Sequence, residues 1–475
     1  MNDDDFRHWS AVAARWGVDY RASIRERRVR APLTPGSVEA QIAAAPPETG
    51  EAMDAIFADF ENIIMPAMTH WQHPRFFAYF PANAAPASVV AEYLVTAVAA
   101  QCMLWQTSPG ATELETRMVD WFRQALGLPE RFLGAIQDSA SSATLNAVLV
   151  MREKALDFSG NASGLAGQKQ LRVYCSGEVH TSVDRAIWVS GIGQDNLVRI
   201  KAVGDRRSMD VVALEQAIRR DLDAGKVPAG VIASVGGTSV GGTDDLAAIV
   251  AMLDRLEKQT GCRPFLHVDA AWAGSAMICP ELRTIWAGVE HADSIVFNPH
   301  KWLGAQFDCS IQFIARPDEL VRTLAAQPEY LKTHGAEQIV NYSEWSVPLG
   351  RRFRALKIWF LLRAYGLEHL RGMIRNHIAW SRKVAERLRA MPDFEIVTEP
   401  MLSLFSFRHA PAGVTDVDLH NQDLVNRIND DGRTYLTQTR VDGKLAIRFQ
   451  AGQFDMREED ADTAFEVIRE LALSV

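Results

Sequence analysis

The sequence predicts an α/β protein built on a mostly parallel sheet, with a helical segment before it and a smaller α+β lobe after it. Three observations carry that expectation. From about Pro86 to Leu349, helical segments alternate with short apolar runs such as Leu171-Arg172-Val173-Tyr174-Cys175, Gly230-Val231-Ile232-Ala233-Ser234-Val235 and Ser294-Ile295-Val296-Phe297. Short apolar runs separated by helices are characteristic of strands covered on both faces. Ahead of them lie two amphipathic stretches. Residues 1–30 set Phe6, Trp9, Val12, Trp16 and Val18 among charges and stop at Ala31-Pro32-Leu33-Thr34-Pro35-Gly36. A second helix opens at Thr49-Gly50-Glu51 and runs through Ile56, Phe57, Phe60, Ile63 and Ile64. After Arg351 a long helical stretch reaches about Arg389. Strand-like Phe394–Val397, Leu402–Phe407 and Leu445–Phe449 follow it, and a last helix begins near Arg457. The expected parts are residues 1–85, 86–350 and 351–475.

With 475 residues, 48% of them apolar, the chain can bury substantial cores. A net charge of −9 gives no electrostatic case for nucleic acid or an anionic membrane surface. The start Met1-Asn2-Asp3-Asp4-Asp5 has the wrong charge for a secretory leader. The longest apolar stretch, Ala87 to Trp105, is interrupted by Glu92 and Gln101, so a buried helix is expected there instead of a membrane span. Five cysteines (102, 175, 262, 279 and 309) show no CxxC spacing, which fits reduced thiols in the cytoplasm. No HExxH and no histidine cluster suggests a metal site.

Two strand ends stand out. Phe265-Leu266-His267-Val268-Asp269 is an apolar run that ends in a carboxylate and is followed by the small residues Ala270 and Ala271. Further on, Ile295-Val296-Phe297 stops at Asn298-Pro299, which leaves Lys301, 32 residues after Asp269, in the turn between His300 and Trp302. A lysine shielded there from water would favour its neutral, nucleophilic amine. A snorkelling surface lysine and a structural aspartate–arginine bridge would fit each stretch taken alone. Gly134 to Thr144 is rich in small and hydroxyl residues ahead of a helix from Leu145 to Lys154. It suits either an anion site or ordinary serine capping. Gly236-Gly237-Thr238 forms a second small-residue turn after a strand.

A strand-end aspartate and a strand-end lysine together suit pyridoxal phosphate (PLP), which needs a lysine to hold it and a carboxylate for its ring nitrogen. His267-Val268-Asp269-Ala270-Ala271 and Asn298-Pro299-His300-Lys301-Trp302 resemble the group II PLP-dependent amino-acid decarboxylases, aromatic-L-amino-acid branch, over about Trp71 to Phe449. The resemblance implies the PLP-dependent fold type I and a homodimer with sites at the subunit interface, onto which the N-terminal segment wraps. It also implies decarboxylation of an aromatic amino acid to its arylalkylamine. Cofactor contacts then fall on Ala140, Ser141, His180, Thr238, Asp269, Ala271, Asn298, His300 and Lys301. His180, in Ser176-Gly177-Glu178-Val179-His180, would stack on the ring and assist proton transfer, though a lone histidine is more often a core or surface residue. Tyr330 lies in Tyr330 to Tyr342, a stretch without helical or strand periodicity that reads as a lid. By resemblance Tyr330 protonates Cα; relatives with phenylalanine there tend toward aldehydes.

For the substrate, the resemblance points to Trp71, Tyr79, Phe80, Pro81, Ala82, Gln101, Met103 and Gly350. The aromatic members are also what a core strand would contain. Ala82 stands where catechol-using relatives carry threonine, which removes a hydroxyl partner. Gln101 and Met103 replace apolar and aromatic residues. Gly350 is the small option at a position that separates indole from phenol users in plant relatives. Together they lean to tryptophan or phenylalanine over tyrosine or DOPA. An aromatic aldehyde synthase, or a decarboxylase of acidic amino acids with a cationic distal wall, are the alternatives.

Overall fold

The computed structural model describes residues 1–325 and 339–474. The chain forms two compact units. One comprises Met1–Pro81, Trp380–Val397 and Ser406–Val475; the other comprises Ala82–Ala379 and Thr398–Phe405. Among the described residues no helix is long and apolar enough to cross a membrane.

The larger unit is organised on a seven-stranded sheet. Its strands are β1 (Leu133–Gln137), β2 (Leu171–Ser176), β3 (Leu197–Ile200), β4 (Val227–Ser234), β5 (Phe265–Asp269), β6 (Ser294–Phe297) and β7 (Ser310–Ile314). The spatial order is β1-β7-β6-β5-β4-β2-β3. The pairs from β6 through β5, β4 and β2 to β3 are parallel, whereas β7 pairs antiparallel with both β6 and β1. Only β7 therefore runs against the rest. The carboxyl ends Gln137, Ser176, Ser234, Asp269 and Phe297 emerge on one edge, where open α/β sheets place their sites.

The smaller unit carries most of a second sheet, formed by β8 (Phe394–Met401), β9 (Leu404–His409), β10 (Thr437–Val441) and β11 (Lys444–Gln450) in the order β8-β9-β11-β10. Its N-terminal helices are α1 (Asp3–Ser23) and α2 (Met53–Asp59). α1 ends earlier than the 1–30 periodicity suggests. α2 starts at Met53 and passes through a wide turn, Phe60–Ile64, that rotates the apolar register. Trp9 meets Phe57 at 5.5 Å and Trp16 meets Phe60 at 4.9 Å, yet α1 buries no residue fully.

The Ala87–Trp105 expectation needs correction. Helix α3 (Pro86–Val98) opens with Pro86, whose missing N–H costs nothing in a first turn, and stops at Ala99 with φ +50°. One face carries the buried Ser88, Ala91, Glu92 and Val95, but Val89, Val90, Tyr93, Leu94 and Val98 are exposed. The stretch reads as apolar because its outer residues are apolar too, and among the described residues only the face with Ser88, Ala91, Glu92 and Val95 is covered.

Charged groups buried beside the sheet are paired. From α4 (Pro109–Leu126), Glu115 accepts from Arg351 Nη2 at 2.7 Å and from the Ile136 N–H at 2.8 Å, and Arg351 also donates to the Ile136 carbonyl. Lys357, fully buried, lies 2.8 Å from Glu92. Removing one member of such a pair strands the other charge in a medium that cannot hydrate it. Arg351→Met is therefore expected to cost about 3–5 kcal/mol in denaturant unfolding. Pairing it with Glu115→Leu should recover much of that loss, as a double-mutant cycle would show.

Candidate active site

The carboxyl edge is built by cross-strand hydrogen bonds between the strand ends themselves. The Val235 N–H donates to the Asp269 carbonyl at 2.9 Å, and the Ala270 N–H to the Val296 carbonyl at 3.0 Å. The Asn298 N–H donates to the Ala271 carbonyl at 2.9 Å. These bonds place Asp269 and the Asn298–Lys301 turn next to each other on neighbouring parallel strands. Gly236, at φ +74°, makes the turn after β4 possible: a Cβ there would come within 2.6 Å of the Ala273 Cβ.

Asp269 is buried, and its Oδ1 accepts from the Ala271 N–H at 3.0 Å. Among the described residues no arginine or lysine forms an ion pair with it, so the structural-bridge reading finds no partner. Asn298 is buried too, and its Oδ1 has no hydrogen-bond partner among the described residues. Lys301 is half-buried in the one-turn helix Pro299–Trp302, between buried His300 and Trp302. Trp302 stacks on Trp272 at 5.0 Å and donates from Nε1 to His377 Nδ1 at 2.9 Å, which fixes the far side of the turn.

His180 follows β2 in the Gly177–Thr181 turn and lies close enough to feel the charges of both Asp269 and Lys301. Desolvation comes first among the causes that lower its pKa; Asp269 opposes this and Lys301 reinforces it. The Ser182 N–H donates to His180 Nδ1 at 3.1 Å, so that nitrogen is an acceptor and the neutral ring carries its proton on Nε2. Glu178 in the same turn is clamped by Arg207 at 2.7 Å. His300 Nδ1 likewise accepts, from the Cys309 N–H at 2.9 Å.

The hydroxyl-rich segment after β1 differs from expectation in where its helix begins. Helix α5 (Ala140–Ala155) starts inside the segment, with Ser139 as its cap accepting from the Ser142 N–H at 3.2 Å. Capping and anion binding are thus compatible: Ser139 takes the Ser142 N–H, and the N–H groups of Ala140 and Ser141 in the first turn have no helical acceptor. Thr238 is half-buried beyond Gly237, in the turn closed by the Gly237 N–H to the Gly242 carbonyl at 2.8 Å.

The chain matches the model of the pyridoxal-dependent decarboxylase conserved domain over residues 35–410. This chain belongs to that family. It is 37% identical to the aromatic-L-amino-acid decarboxylase of Rattus norvegicus, over 100% of this chain and 99% of the relative. It is 35% identical to the phenylacetaldehyde synthase of Arabidopsis thaliana, over 99% and 96%. A crystal structure of Oryza sativa TDC with PLP and tryptamine superposes with a TM-score of 0.94 at 32% identity, covering 100% of this chain and 99% of that one.

This decarboxylase is therefore a carboxy-lyase that uses PLP, and its site fits that cofactor. A buried carboxylate with no ion-paired cation among the described residues calls for a positive partner, which a protonated pyridine nitrogen would supply. Asn298 Oδ1, without a partner among the described residues, can accept from the group, and the N–H groups at the start of α5 on the same edge can donate to it.

The residues expected around the substrate divide between the two units. Trp71, Tyr79, Phe80 and Pro81 belong to the smaller one, where Trp71 stacks on Tyr79 at 5.8 Å and meets Phe76 at a tilt at 4.6 Å. Ala82, Gln101, Met103 and Gly350 belong to the larger one. There Gln101 Oε1 accepts from the Arg351 N–H at 2.7 Å, and its Nε2 would lie 3.2 Å from a Cβ at Gly350. The Met103 carbonyl accepts from the Ser343 N–H at 3.0 Å. Tyr330 lies outside the described residues. Sequence reasoning missed Asn83 and Ser182. A His-x-Ser spacing could have found Ser182, because a side chain can reach the N–H two residues on; nothing local marks Asn83.

Burial gives the site a pH limit. Desolvation holds His267 down to about 4 and His300 down to about 3. Both are neutral in the folded protein and bind a proton on unfolding below pH 6.5. Their contribution is therefore complete above about pH 6.5 and lost as pH falls toward about 4 for His267 and about 3 for His300. The denaturation midpoint should drop across that window. His267→Asn should flatten the slope by up to one proton, about 1.4 kcal/mol per pH unit.

Proposed function

We propose that this enzyme decarboxylates an aromatic L-amino acid, with tryptophan or phenylalanine preferred to tyrosine and DOPA, and releases the arylalkylamine and CO2. The observation that carries the reading is the adjacency of Asp269, a buried carboxylate, and Lys301 at one sheet edge, in a chain whose full-length relatives include an aromatic-L-amino-acid decarboxylase. When bound, PLP supplies an electron sink for the pair left by the departing carboxylate. Lys301 would hold it through its amine, and Asp269 would keep a proton on its ring nitrogen. Ala140, Ser141, Thr238 and Asn298 would receive its phosphate end, while His180 and Ala271 would contact the ring and His300 would back the lysine. His180 holds its proton on Nε2, the nitrogen left free to donate. Tyr330, assigned from its place in the sequence, delivers the proton to Cα after CO2 has left.

The substrate preference rests on the space at Gly350 and on Gln101. The Arg351 N–H pins the Gln101 carbonyl, so its Nε2 is the end turned toward that space. Ala82 offers no hydroxyl to a ring OH. By resemblance Trp71, Tyr79, Phe80, Pro81 and Met103 are the other residues assigned to the substrate. An aldehyde outcome is the second reading, favoured by the likeness to the phenylacetaldehyde synthase.

We assign two copies to the working enzyme, with residues 1–85 as its dimerisation segment, 86–350 as the cofactor domain and 351–475 as the small domain. The exposed apolar face of α3 and the absence of any fully buried residue on α1 support self-association. Free thiols at all five cysteines fit the cytoplasm.

Incubating PLP-loaded protein with a mixture of L-amino acids, with products read by mass spectrometry, tests the reaction. Tryptamine or phenethylamine without hydrogen peroxide is expected; aldehyde with peroxide would favour the second reading, and no CO2 from any aromatic substrate would refute the first. Lys301→Ala should abolish turnover with folding retained, and Tyr330→Phe should divert product to aldehyde and ammonia. Sedimentation should show a dimer, and Val90→Glu with Leu94→Glu should shift it toward monomer.

A further inference from the structure

The one-turn helix that carries Lys301 cannot satisfy its own carbonyls. A helix leaves its last C=O groups without partners, and in a four-residue helix those are nearly all of them. Here the Leu303 and Ala305 N–H groups both donate to the Pro299 carbonyl, at 3.2 and 3.3 Å. The carbonyls of His300 and Lys301 are instead taken by one distant residue. Asn83 donates its backbone N–H to the His300 carbonyl at 3.0 Å and its side-chain Nδ2 to the Lys301 carbonyl at 2.8 Å. Asn83 is 1% exposed, so water cannot stand in for it. The same strand of chain continues the contact: the Ala85 N–H donates to the Gly304 carbonyl at 2.8 Å, and Ser88 Oγ accepts from the Gln306 N–H at 2.7 Å.

We propose that Asn83 is a positioning residue for Lys301, holding the peptide planes on either side of the lysine Cα and so aiming its side chain. The inference rests on the reading of Lys301 as the lysine that holds the cofactor. An asparagine is required by the chemistry of the contact: a carbonyl accepts, so the group facing it must donate. An aspartate of the same size would turn a carboxylate oxygen toward the Lys301 carbonyl, and an alanine would leave that carbonyl buried without a donor. A serine retains a donor on a shorter arm.

The test compares Asn83→Asp, Asn83→Ala and Asn83→Ser, each loaded with PLP. Three quantities are read: the pH midpoint of the visible absorption band without substrate, the rate of cofactor loss on dilution, and kcat and KM. Asn83→Asp and Asn83→Ala should move the band midpoint by on the order of half a pH unit. They should also speed cofactor loss and lower kcat about 10- to 100-fold, with KM changed less than about twofold. Asn83→Ser should recover part of each. Should Asn83→Ala fail to fold, the same-sized Asn83→Asp decides. An Asn83→Asp enzyme that retains cofactor, titrates and turns over like the wild type would overturn the proposal. So would a variant that melts earlier with an unchanged band and kcat, because that is packing alone. Wild-type protein that binds PLP but releases no CO2 would refute the proposed reaction, and the band titration would still decide Asn83.

Discussion

The carboxylate of Asp269 is the constraint on which the rest of the site depends. It terminates β5, a strand flanked on both sides by parallel neighbours, so its backbone is fully engaged and cannot move away from the sheet. The side chain is 8% exposed, and no cation of the described chain answers it. Burying an unpaired carboxylate is among the costliest arrangements a fold can hold. The surrounding strand ends are nonetheless bonded to one another through Val235, Ala270 and Asn298, which keeps the charge where it is. A site of this kind is completed by the cation its ligand brings, and the pyridinium of PLP is such a cation.

The strands that frame the site were legible because parallel strands under two helical layers are apolar at nearly every position, and their ends are punctuated by Asp, Asn-Pro and Gly-Gly. Each of those ends taken alone leaves a bland reading open for Asp269 or Lys301; the two ends together point to a cofactor. What the pattern could not convey was register and partnership. The pattern starts α5 at Leu145, five residues late, because Ala140 to Thr144 is small and polar, a composition shared by loops and by the first turn of a capped helix. α2 was read as one continuous helix because a wide turn at Phe60–Ile64 leaves the residues apolar while rotating the face they present. Asn83 carried no local signal at all: its partners lie 218 residues away, at Lys301, and only the folded chain brings them together.

The stretch after Ala82 shows why periodicity misled. An apolar stretch with a single acid in it reads as a buried helix, and the acid as a break in the pattern. In the folded chain Glu92 lies on the buried side of α3 and pairs with Lys357 and Arg352. The apolar residues Val89, Val90, Tyr93 and Leu94 lie on the outer side. The pattern is inverted relative to an ordinary surface helix, whose charged residues face water.

That inversion places two demands on one short element. The inner side of α3 and the residues just before it hold the Lys301 turn through Asn83, Ala85 and Ser88, and anchor a fully buried lysine through Glu92. The outer side presents a contiguous apolar surface of the kind that marks a contact with another chain. With Pro86 fixing its first turn and Ala99 ending it in a left-handed conformation, α3 has little freedom to satisfy one side at the expense of the other. The geometry of Lys301 is thus fixed from two directions: by the strand ends of its own sheet, and by the residues that lead into a helix whose other face is exposed.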